Sequence, residues 1–210
     1  MLTLACFLLA CADDVAKDKP LAAVTPAAEA PPLAPATPPT APSPGPGFQI
    51  DRARSSVKAI GAKITESHEL NVSDFDGNIR LDGDTLAGLE GNVRVGSVVS
   101  DSVKLDGHLK SPDFFDASAF PAANFASTAL VAGGENGATH TVTGTLSIRG
   151  VAKEITFPAT LTVTPTSVEG HAEFAIVRAD FGIVYPGKPD NLIQDKVVLK
   201  IDLVAARPTG

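Results

Sequence analysis

The chain has 210 residues, of which 17 are lysine or arginine and 24 are aspartate or glutamate, and 44% are hydrophobic. A net charge of −7 at pH 7 without any basic block excludes a nucleic-acid surface, because a phosphate backbone needs clustered Lys and Arg. Both cysteines, Cys6 and Cys11, lie in the first eleven residues. The rest of the chain can therefore form no disulfide, cysteine nucleophile or cysteine metal site.

Residues 1–11 are predicted to be an export signal. The apolar run from Leu2 to Ala10 is too short for the ~20 residues of a membrane-spanning helix. It ends in Leu8-Leu9-Ala10-Cys11, which resembles the bacterial lipobox, whose cysteine becomes the acylated first residue. Acylation of Cys11, followed by Ala12, predicts a lipoprotein anchored to the outer membrane on its periplasmic side. No basic residue precedes the run, and Leu9 is bulkier than the pattern, so a plain signal peptide and secretion to the periplasm remain the alternative.

Residues 12–47 are predicted to be a disordered linker. Ten of the 17 prolines lie between Pro20 and Pro46, and large apolar side chains are rare, so the segment cannot bury enough surface to offset its ordering entropy. Proline density favours polyproline II at about 3.1 Å per residue, which gives a reach on the order of 100 Å. The linker is thus a long tether or a passive spacer, and residues 48–210 form one folded domain.

Alternating apolar and polar residues dominate the folded domain and predict β-strands. The alternating runs cover residues 56–65, 75–82, 89–99, 124–131, 141–149, 151–163, 168–176 and 197–203. Asp82-Gly83-Asp84, Gly133-Gly134 and Arg149-Gly150 supply hairpin turns. Residues 102–109 lack the alternation and predict a short helix that ends before Pro112. Eight strands without long helices predict an antiparallel sandwich or barrel.

Several inward positions of these strands carry small residues, namely Gly77, Gly144, Gly170, Ala159 and Ala172. A barrel of eight strands is just wide enough to be filled by its own side chains or to hold one ligand. The small residues favour a cavity. The alternative is that the glycines relieve strand bending while phenylalanines fill the interior.

Three stretches carry a family resemblance. Residues 107–116 (GHLKSPDFFD), 120–121 (FP) and 125–128 (FAST) resemble the signature of the YceI-like family of lipocalin-like polyisoprenoid-binding proteins. The opening strand near Asp51 and Val57, the hairpin at 144–151 and the turn at 178–183 resemble further parts of it. The resemblance spans nearly all of residues 48–206. It implies an all-β, eight-stranded antiparallel lipocalin-like barrel with a short helical segment, an elongated cavity for an isoprenoid chain, and no catalytic residues.

The inward alternation and the resemblance together predict which residues contact that ligand. Ala59 stands where many family members have a large side chain, which enlarges the cavity if it points inward. Phe114, Phe115 and Phe125 either close one end of the cavity or cap the core. The predicted ligand-binding residues are Val57, Ala59, His68, Phe75, Phe114, Phe115, Phe125, Val142, Gly144, Leu146, Phe157, Ala172, Phe174, Ile176 and Phe181.

Other chemistry finds little support in the sequence. The four histidines show no metal-ligand spacing, so we expect no metal. His108 is expected to brace the helical turn, and His68 is either solvated or meets a polar head group at the barrel mouth. Asp74 and Asp76 resemble a calcium loop without its distal glutamate, and no G-x-S-x-G motif occurs. Arg178 is expected to pair with Asp180 and fix the following turn.

The first functional hypothesis is a non-enzymatic protein that binds, stores or transports an isoprenoid lipid of quinone or polyprenyl type in the cell envelope. Such a protein needs no cofactor, because the isoprenoid is a ligand and not a catalytic cofactor. It has no nucleic-acid partner, is a monomer or homodimer, and meets the membrane through an acylated Cys11. The alternative is a structural or protein-interaction module of the envelope whose barrel is filled. A third and weaker hypothesis is a small-molecule hydrolase or metal-dependent enzyme.

Overall fold

The computed structural model describes residues 14–26 and 47–206. Within these ranges the chain is mostly β-strand, with one short helix, α1 (Val103–Leu109), and 3-10 turns at Val95–Ser97, Glu135–Gly137 and Arg178–Phe181. The strands are β1 (Ala23–Pro26), β2 (Phe48–Ile50), β3 (Ser56–Ala62), β4 (Ser67–Val72), β5 (Phe75–Asp82), β6 (Thr85–Arg94), β7 (Val98–Val99), β8 (Ala122–Ala132), β9 (His140–Ile148), β10 (Val151–Val163), β11 (Ser167–Val177), β12 (Gly187–Lys188), β13 (Asn191–Leu192) and β14 (Lys196–Ala206).

In the described part of the chain, eight antiparallel strands close into a barrel, which confirms the predicted fold class. Three of the eight are each built from two consecutive pieces, β2 with β3, β4 with β5, and β6 with β7. The strands β8, β9, β10 and β11 follow in chain order, each paired with its neighbour. β14 then pairs with β11 on one side and with β2 and β3 on the other, which closes the ring.

The hairpin turns use the residues that the sequence predicted. Arg149 and Gly150 both have positive φ angles, 52° and 73°, as a two-residue type I′ turn between β9 and β10 requires. Gly83 and Gly133 also adopt positive φ at their turns. The predicted helix is present as α1, and it ends before Pro112, as expected. These local signals decide where each strand of the barrel begins and ends.

Both ends of the barrel are closed by buried side chains. At the end that begins with β2, which we refer to as the β2 end, Phe48, Ile79, Val168 and Ala205 form one cluster. At the opposite end, the α1 end, Leu70, Val98, Leu109, Phe114 and Ile183 form another cluster. The two clusters leave the middle of the barrel as the space in which a site can form.

The prediction of disorder over residues 12–47 is wrong for residues 14–26, which dock on the barrel. We refer to this segment as the N-terminal strap. Its strand β1 pairs with β10 from Ala23 opposite Thr156 to Pro26 opposite Lys153. Ala16 and Ala22 are each only 3% exposed. Residues 12–13 and 27–46 of the predicted linker lie outside the described residues.

The docked strap also changes the proposed tether. Only Ala12 and Asp13 separate Cys11 from the strap. A linker that ran freely from Cys11 to Phe48 could reach on the order of 100 Å, but residue 14 already touches the barrel through its ion pair with Lys196. Residues 12–47 therefore do not form one continuous tether, because their first third is part of the folded domain.

Candidate functional site

The interior of the barrel contains two neighbouring apolar cavities, a main cavity of about 220 Å³ and a second cavity of about 130 Å³. Their walls are almost free of exposed polar atoms. The residues that line both are Ala59, Leu70, Phe115, Ile148 and Leu199. Ligand sites in proteins usually measure about 300–1,000 Å³, so the two cavities reach this range only as a pair. Their shared wall makes them one elongated apolar site in two parts.

Aromatic side chains occupy part of the main cavity. Phe157 and Phe174 stack with their ring centroids 4.1 Å apart, and Phe125 lies 5.7 Å from Phe157 in a tilted arrangement. Such pairs are favourable beyond the area that they bury. The phenylalanines therefore fill part of the interior, as the filled-barrel alternative expects, but they leave an open volume that is lined by residues from every strand of the barrel.

The second cavity lies at the α1 end. Leu105 and Leu109 of α1 face Ile183 and Ile193 across it. An engineered cavity of about 150 Å³ lined by aliphatic and aromatic side chains stays dry and binds benzene, so this volume suits one six-membered ring or a short hydrocarbon. A Cβ atom added at Gly61 would meet nothing within 4 Å, which shows that this wall has free space beside it.

Fourteen of the fifteen predicted ligand-binding residues line one of the cavities; their contact with a ligand remains a prediction. Ala59 and Phe115 line both. The residues that line only the main cavity are Val57, Phe75, Phe125, Val142, Leu146, Phe157, Ala172 and Phe174. Those that line only the second cavity are His68, Phe114, Ile176 and Phe181.

The exception is Gly144, which lines neither cavity. A Cβ atom there would lie 2.5 Å from both Phe125 Cζ and the Ala126 carbonyl oxygen. The glycine therefore serves close packing, because it lets the Phe125 ring approach β9. Gly77 is explained in the same way, since a Cβ atom there would overlap the Glu90 carbonyl oxygen. The other small inward residues, Gly170, Ala159 and Ala172, do line the main cavity.

His68 lines the second cavity, but its ring nitrogens lie beside carboxylates. Nδ1 donates to Asp101 at 2.9 Å, and Nε2 lies 3.4 Å from Glu66 Oε1 without forming a hydrogen bond. Lys63 donates to Glu66 at 2.7 Å, and this hydrogen bond, with the charges of Lys63 and His68, lowers the pKa of Glu66. The rim of the second cavity thus carries basic and acidic side chains, while the wall itself is apolar.

Arg178 organises the loop that covers the α1 end. Its guanidinium is almost fully buried and donates to the carbonyl oxygens of Ile183, Tyr185 and Gln194 at 2.9, 2.8 and 3.1 Å. Its ion-pair partner is Asp195, at 3.2 Å, and the expected pairing with Asp180 is wrong. Arg178 therefore fixes the whole loop from residue 182 to 195 instead of the single turn that follows it.

A cluster of rings seals the same end. His108 contacts Phe114 and Tyr185 edge-on, with centroid distances of 4.9 and 5.0 Å, and its Nε2 lies 3.0 Å from Asp113 Oδ2. His108 thus braces the turn after α1, as predicted. Phe114 closes this end with its neighbour Phe115, whereas Phe125 lies in the main cavity and takes no part in the closure.

Metal ligation finds no support in residues 14–26 and 47–206, where no group of three or more His, Cys, Asp or Glu side chains could hold an ion. Asp74 pairs with Arg52 at 2.6 Å and Asp76 with Arg94 at 3.2 Å, so both aspartates have protein partners. The described ranges also contain no helix of the length and hydropathy that a membrane span needs.

Relatives and solved structures are similar to this chain over the barrel. The UPF0312 protein of Pseudomonas putida strain W619 is 34% identical over 122 residues, which are 54% of this chain and 62% of that protein. The match thus spans less than two thirds of that relative. Burkholderia cenocepacia BcnA has the same fold, with a TM-score of 0.67 at 26% identity, over 75% of this chain and 99% of that chain.

A second structure supports the fold. It is described as a polyisoprenoid binding domain from Saccharophagus degradans implicated in plant cell wall breakdown, and it superimposes with a TM-score of 0.63 at 15% identity over 78% of this chain and all of that chain. Residues 48–205 match the family described as the YceI-like domain. Because that match covers most of the chain and the barrel is the same, this protein belongs to the YceI-like family.

Proposed function

We propose that this protein binds an isoprenoid lipid, of quinone or polyprenyl type, inside its barrel and performs no catalysis on it. The observation that carries the proposal is the pair of adjoining cavities with almost no exposed polar atom on their walls. Each CH₂ group moved from water into such a space is worth about 0.8 kcal/mol, so a hydrocarbon chain is the ligand that gains most from it. The printed description of the Saccharophagus degradans structure, a polyisoprenoid binding domain, agrees with this ligand class.

The cavity walls also argue for the carrier over the third hypothesis, a hydrolase or metal enzyme. Catalysis needs polar groups that face the reacting atoms, usually with a base and a nucleophile in hydrogen-bond reach. Here the guanidinium of Arg178 and Nδ1 of His68, both next to the site, are engaged with carbonyl or carboxylate groups of the protein. The exposed surface of the cavity walls is almost entirely hydrocarbon, which suits the binding of a lipid better than a reaction at polar atoms.

The test is native mass spectrometry combined with organic extraction of the full-length protein from an envelope fraction. We expect the protein to co-purify with an isoprenoid and to lose it on extraction. The extracted protein should then bind a short-chain isoprenoid quinone when this is added. Protein that carries no lipid, and that binds neither the quinone nor the matching isoprenoid alcohol, contradicts the proposal. That result would favour the alternative of a structural or protein-interaction module, which the stacked phenylalanines in the main cavity support in part.

We also propose that the protein resides in the cell envelope, held at the outer membrane by an acylated Cys11. The support is the lipobox-like sequence that ends in Cys11. The test is incorporation of radiolabelled fatty acid in cells that express the full chain, its Cys11→Ser variant or its Cys6→Ser variant. We expect label in the native chain and in Cys6→Ser and none in Cys11→Ser. Label that persists in Cys11→Ser, or is absent from all three, removes the anchor.

A further inference from the structure

The barrel wall is incomplete without the N-terminal strap. β10 and β11 pair only from Thr160 opposite His171 to Val163 opposite Val168. Pro158, which has no amide hydrogen to donate, lies just past the point where this ladder stops. Beyond it the two strands diverge, and their free edges bond to the strap instead. Residues 14–26 thus fill a gap in the side of the barrel.

Backbone hydrogen bonds join the strap to both edges of the gap. On one side β1 runs antiparallel to the first half of β10. On the other side the amide of Ala22 donates to the Ala175 carbonyl at 2.9 Å, and the amide of Ala175 donates to the Pro20 carbonyl at 2.8 Å. A segment that bonds to two diverging strands behaves as an added strand in the wall, which is the geometry of β-augmentation within one chain.

The inner face of the strap belongs to the interior of the barrel. Ala22 is buried in the same cluster as Ile155, Phe157 and Phe174, and Val24 packs against that cluster. These three cluster residues line the main cavity. Removal of the strap would therefore open the wall directly onto side chains of the proposed lipid site.

The outer face of the barrel is also covered by the strap. Ala175, Val198 and Ile60 are opposite one another on β11, β14 and β3, and Val15 and Ala16 of the strap pack on them. As a result Ala175 and Val198 are almost completely buried although they lie on the outside of the barrel.

The contacts that hold the strap are individually weak. The apolar contacts are made by alanine and valine side chains. Of the two ion pairs, Lys19 with Glu173 at 3.1 Å is half-buried, and Lys196 with Asp14 at 3.6 Å is solvent-exposed. Exposed ion pairs contribute little, and short segments with few buried contacts open before the rest of a domain. β1 pairs with β10 over residues 23–26 only, whereas β11 and β14 pair over residues 167–177, so we expect the strap to open before the barrel unfolds.

The two ends of the barrel offer a lipid less access. At the α1 end the buried Arg178 holds the covering loop through several carbonyl groups, and the rings of His108, Phe114 and Tyr185 seal the space beneath. At the β2 end the closing cluster is buried as well. Opening either end would break a charged hydrogen-bond network or a packed core, whereas the side gap is closed only by the strap.

We propose that the strap is a detachable part of the wall of the lipid site, and that its release opens the β10–β11 gap through which the ligand enters and leaves. This inference rests on the proposed function. Residues 14–26 lie outside the region that matches the YceI-like family, residues 48–205, so the strap is not part of the matched domain. In the sequence, the strap begins at Asp14, three residues after Cys11, the site of the proposed anchor.

The decisive experiment locks the strap shut. Thr25 and Glu154 are opposite each other on β1 and β10, with their side chains in contact at 3.3 Å on the outer surface. Cross-strand Cα distances of about 4.5–5.5 Å allow a disulfide, so the variant Thr25→Cys/Glu154→Cys can be closed and reopened with a reductant. The full chain is used with Cys6→Ser and Cys11→Ser, so that no other thiol interferes. The matched control is Thr143→Cys/Thr156→Cys, which links β9 to β10 and leaves the strap free.

The readout is the rate at which N-phenyl-1-naphthylamine, a neutral apolar fluorophore, leaves the protein when a short-chain isoprenoid quinone is added. We expect the oxidised Thr25/Glu154 variant to exchange the probe at least about tenfold more slowly than its reduced form, because the opening step is blocked. The oxidised control variant should exchange at the native rate. An oxidised Thr25/Glu154 variant that binds and exchanges the probe at the native rate overturns the inference, since the ligand then passes elsewhere.

A second pair of variants opens the strap. Ala22→Lys places a charge at a buried inward position, whereas Ala23→Lys places the same charge at the adjacent exposed position. We expect faster probe exchange and loss of hydrogen-exchange protection at the Ala175 amide for Ala22→Lys only. Equal exchange rates in both variants, with the Ala175 amide unprotected in Ala22→Lys, overturn the inference. Absence of probe and quinone binding in the native chain is a separate result, which contradicts the proposed function.

Discussion

Substitution of Gly61 by leucine tests whether the second cavity is part of the ligand site. Gly61 lies on β3 opposite His68, and both residues line this cavity. A Cβ atom at Gly61 meets no atom within 4 Å, and the backbone there does not need a positive φ angle. The Cβ atom of a leucine therefore has free space at this position, and we expect the rest of the side chain to extend into the cavity. The variant should fold normally and leave less room for a ligand.

The expected magnitudes follow from the size of the leucine side chain. Burial of a leucine stabilises a fold by about 1.5–3 kcal/mol, and the loss of its rotamer freedom opposes this by about 0.5–1 kcal/mol. We expect the free energy of unfolding to rise by about 1–2 kcal/mol. A side chain of four carbons displaces a similar amount of ligand, which at about 0.8 kcal/mol per carbon weakens binding by about 3 kcal/mol, or more than about a hundredfold in Kd.

Both quantities can be measured on the same protein. Urea denaturation followed by circular dichroism gives the unfolding free energy, and titration calorimetry with a short-chain isoprenoid quinone gives Kd. Gly96→Leu is the matched control, because Gly96 is exposed and a Cβ atom there also meets nothing within 4 Å. It should leave Kd unchanged. A Gly61→Leu variant that binds the quinone as tightly as the native protein would refute the reasoning, as would a loss of stability, since the space beside Gly61 would then not be empty.

Three further predictions concern the stability of the barrel around the cavities. Gly144→Ala should lower the unfolding free energy by about 1–3 kcal/mol in urea denaturation, because its methyl group meets the Phe125 ring at 2.5 Å; unchanged stability would mean that this contact relaxes freely. Arg178→Met should lower the unfolding free energy by at least about 3 kcal/mol, because several buried carbonyl groups lose a charged donor. A variant as stable as the native chain would show that water replaces the guanidinium. The hydrogen bond from His171 lowers the pKa of Asp202, so its stabilising effect is present above the ordinary aspartate pKa and is lost as the pH falls through the lowered value. The midpoint temperature of thermal unfolding should therefore fall more steeply below about pH 4 in the native chain than in Asp202→Asn. Parallel curves of Tm against pH for the two proteins would count against this pair.

Much of the barrel could be predicted because its signals are local. A strand with one face inward repeats its pattern every two residues, and a two-residue hairpin needs residues that tolerate positive φ, such as Arg149-Gly150. The strand β4 was not among the predicted strands, although His68, Leu70 and Val72 alternate with polar residues along it. The strand has only six residues, and the histidine at its first inward position weakens the apolar alternation.

The candidate site was predictable to the extent that inward alternation decides which side chains meet in the interior. Alternation cannot tell an inward residue with free space beside it from one pressed against a neighbour. Gly144 and Gly61 are both inward glycines, yet only Gly61 borders a cavity. The difference depends on where the Phe125 ring of a neighbouring strand lies, and side-chain packing between strands has no local signature.

The sequence by itself determined the eight strands, their turns, the family and the apolar lining, since each of these depends on neighbouring residues or on a continuous motif. Only the tertiary structure decided that residues 14–26 belong to the wall of the barrel. Their apolar side chains are mostly alanine and valine, too small to signal a core. Val15 and Ala16 are covered because Ala175, Val198 and Ile60 offer an apolar surface on the outside of three strands, and Ala22 is buried against the interior cluster. Burial is a property of two surfaces in contact. Here the residues of the strap and those of the outer surface are between 34 and 184 positions apart in the sequence.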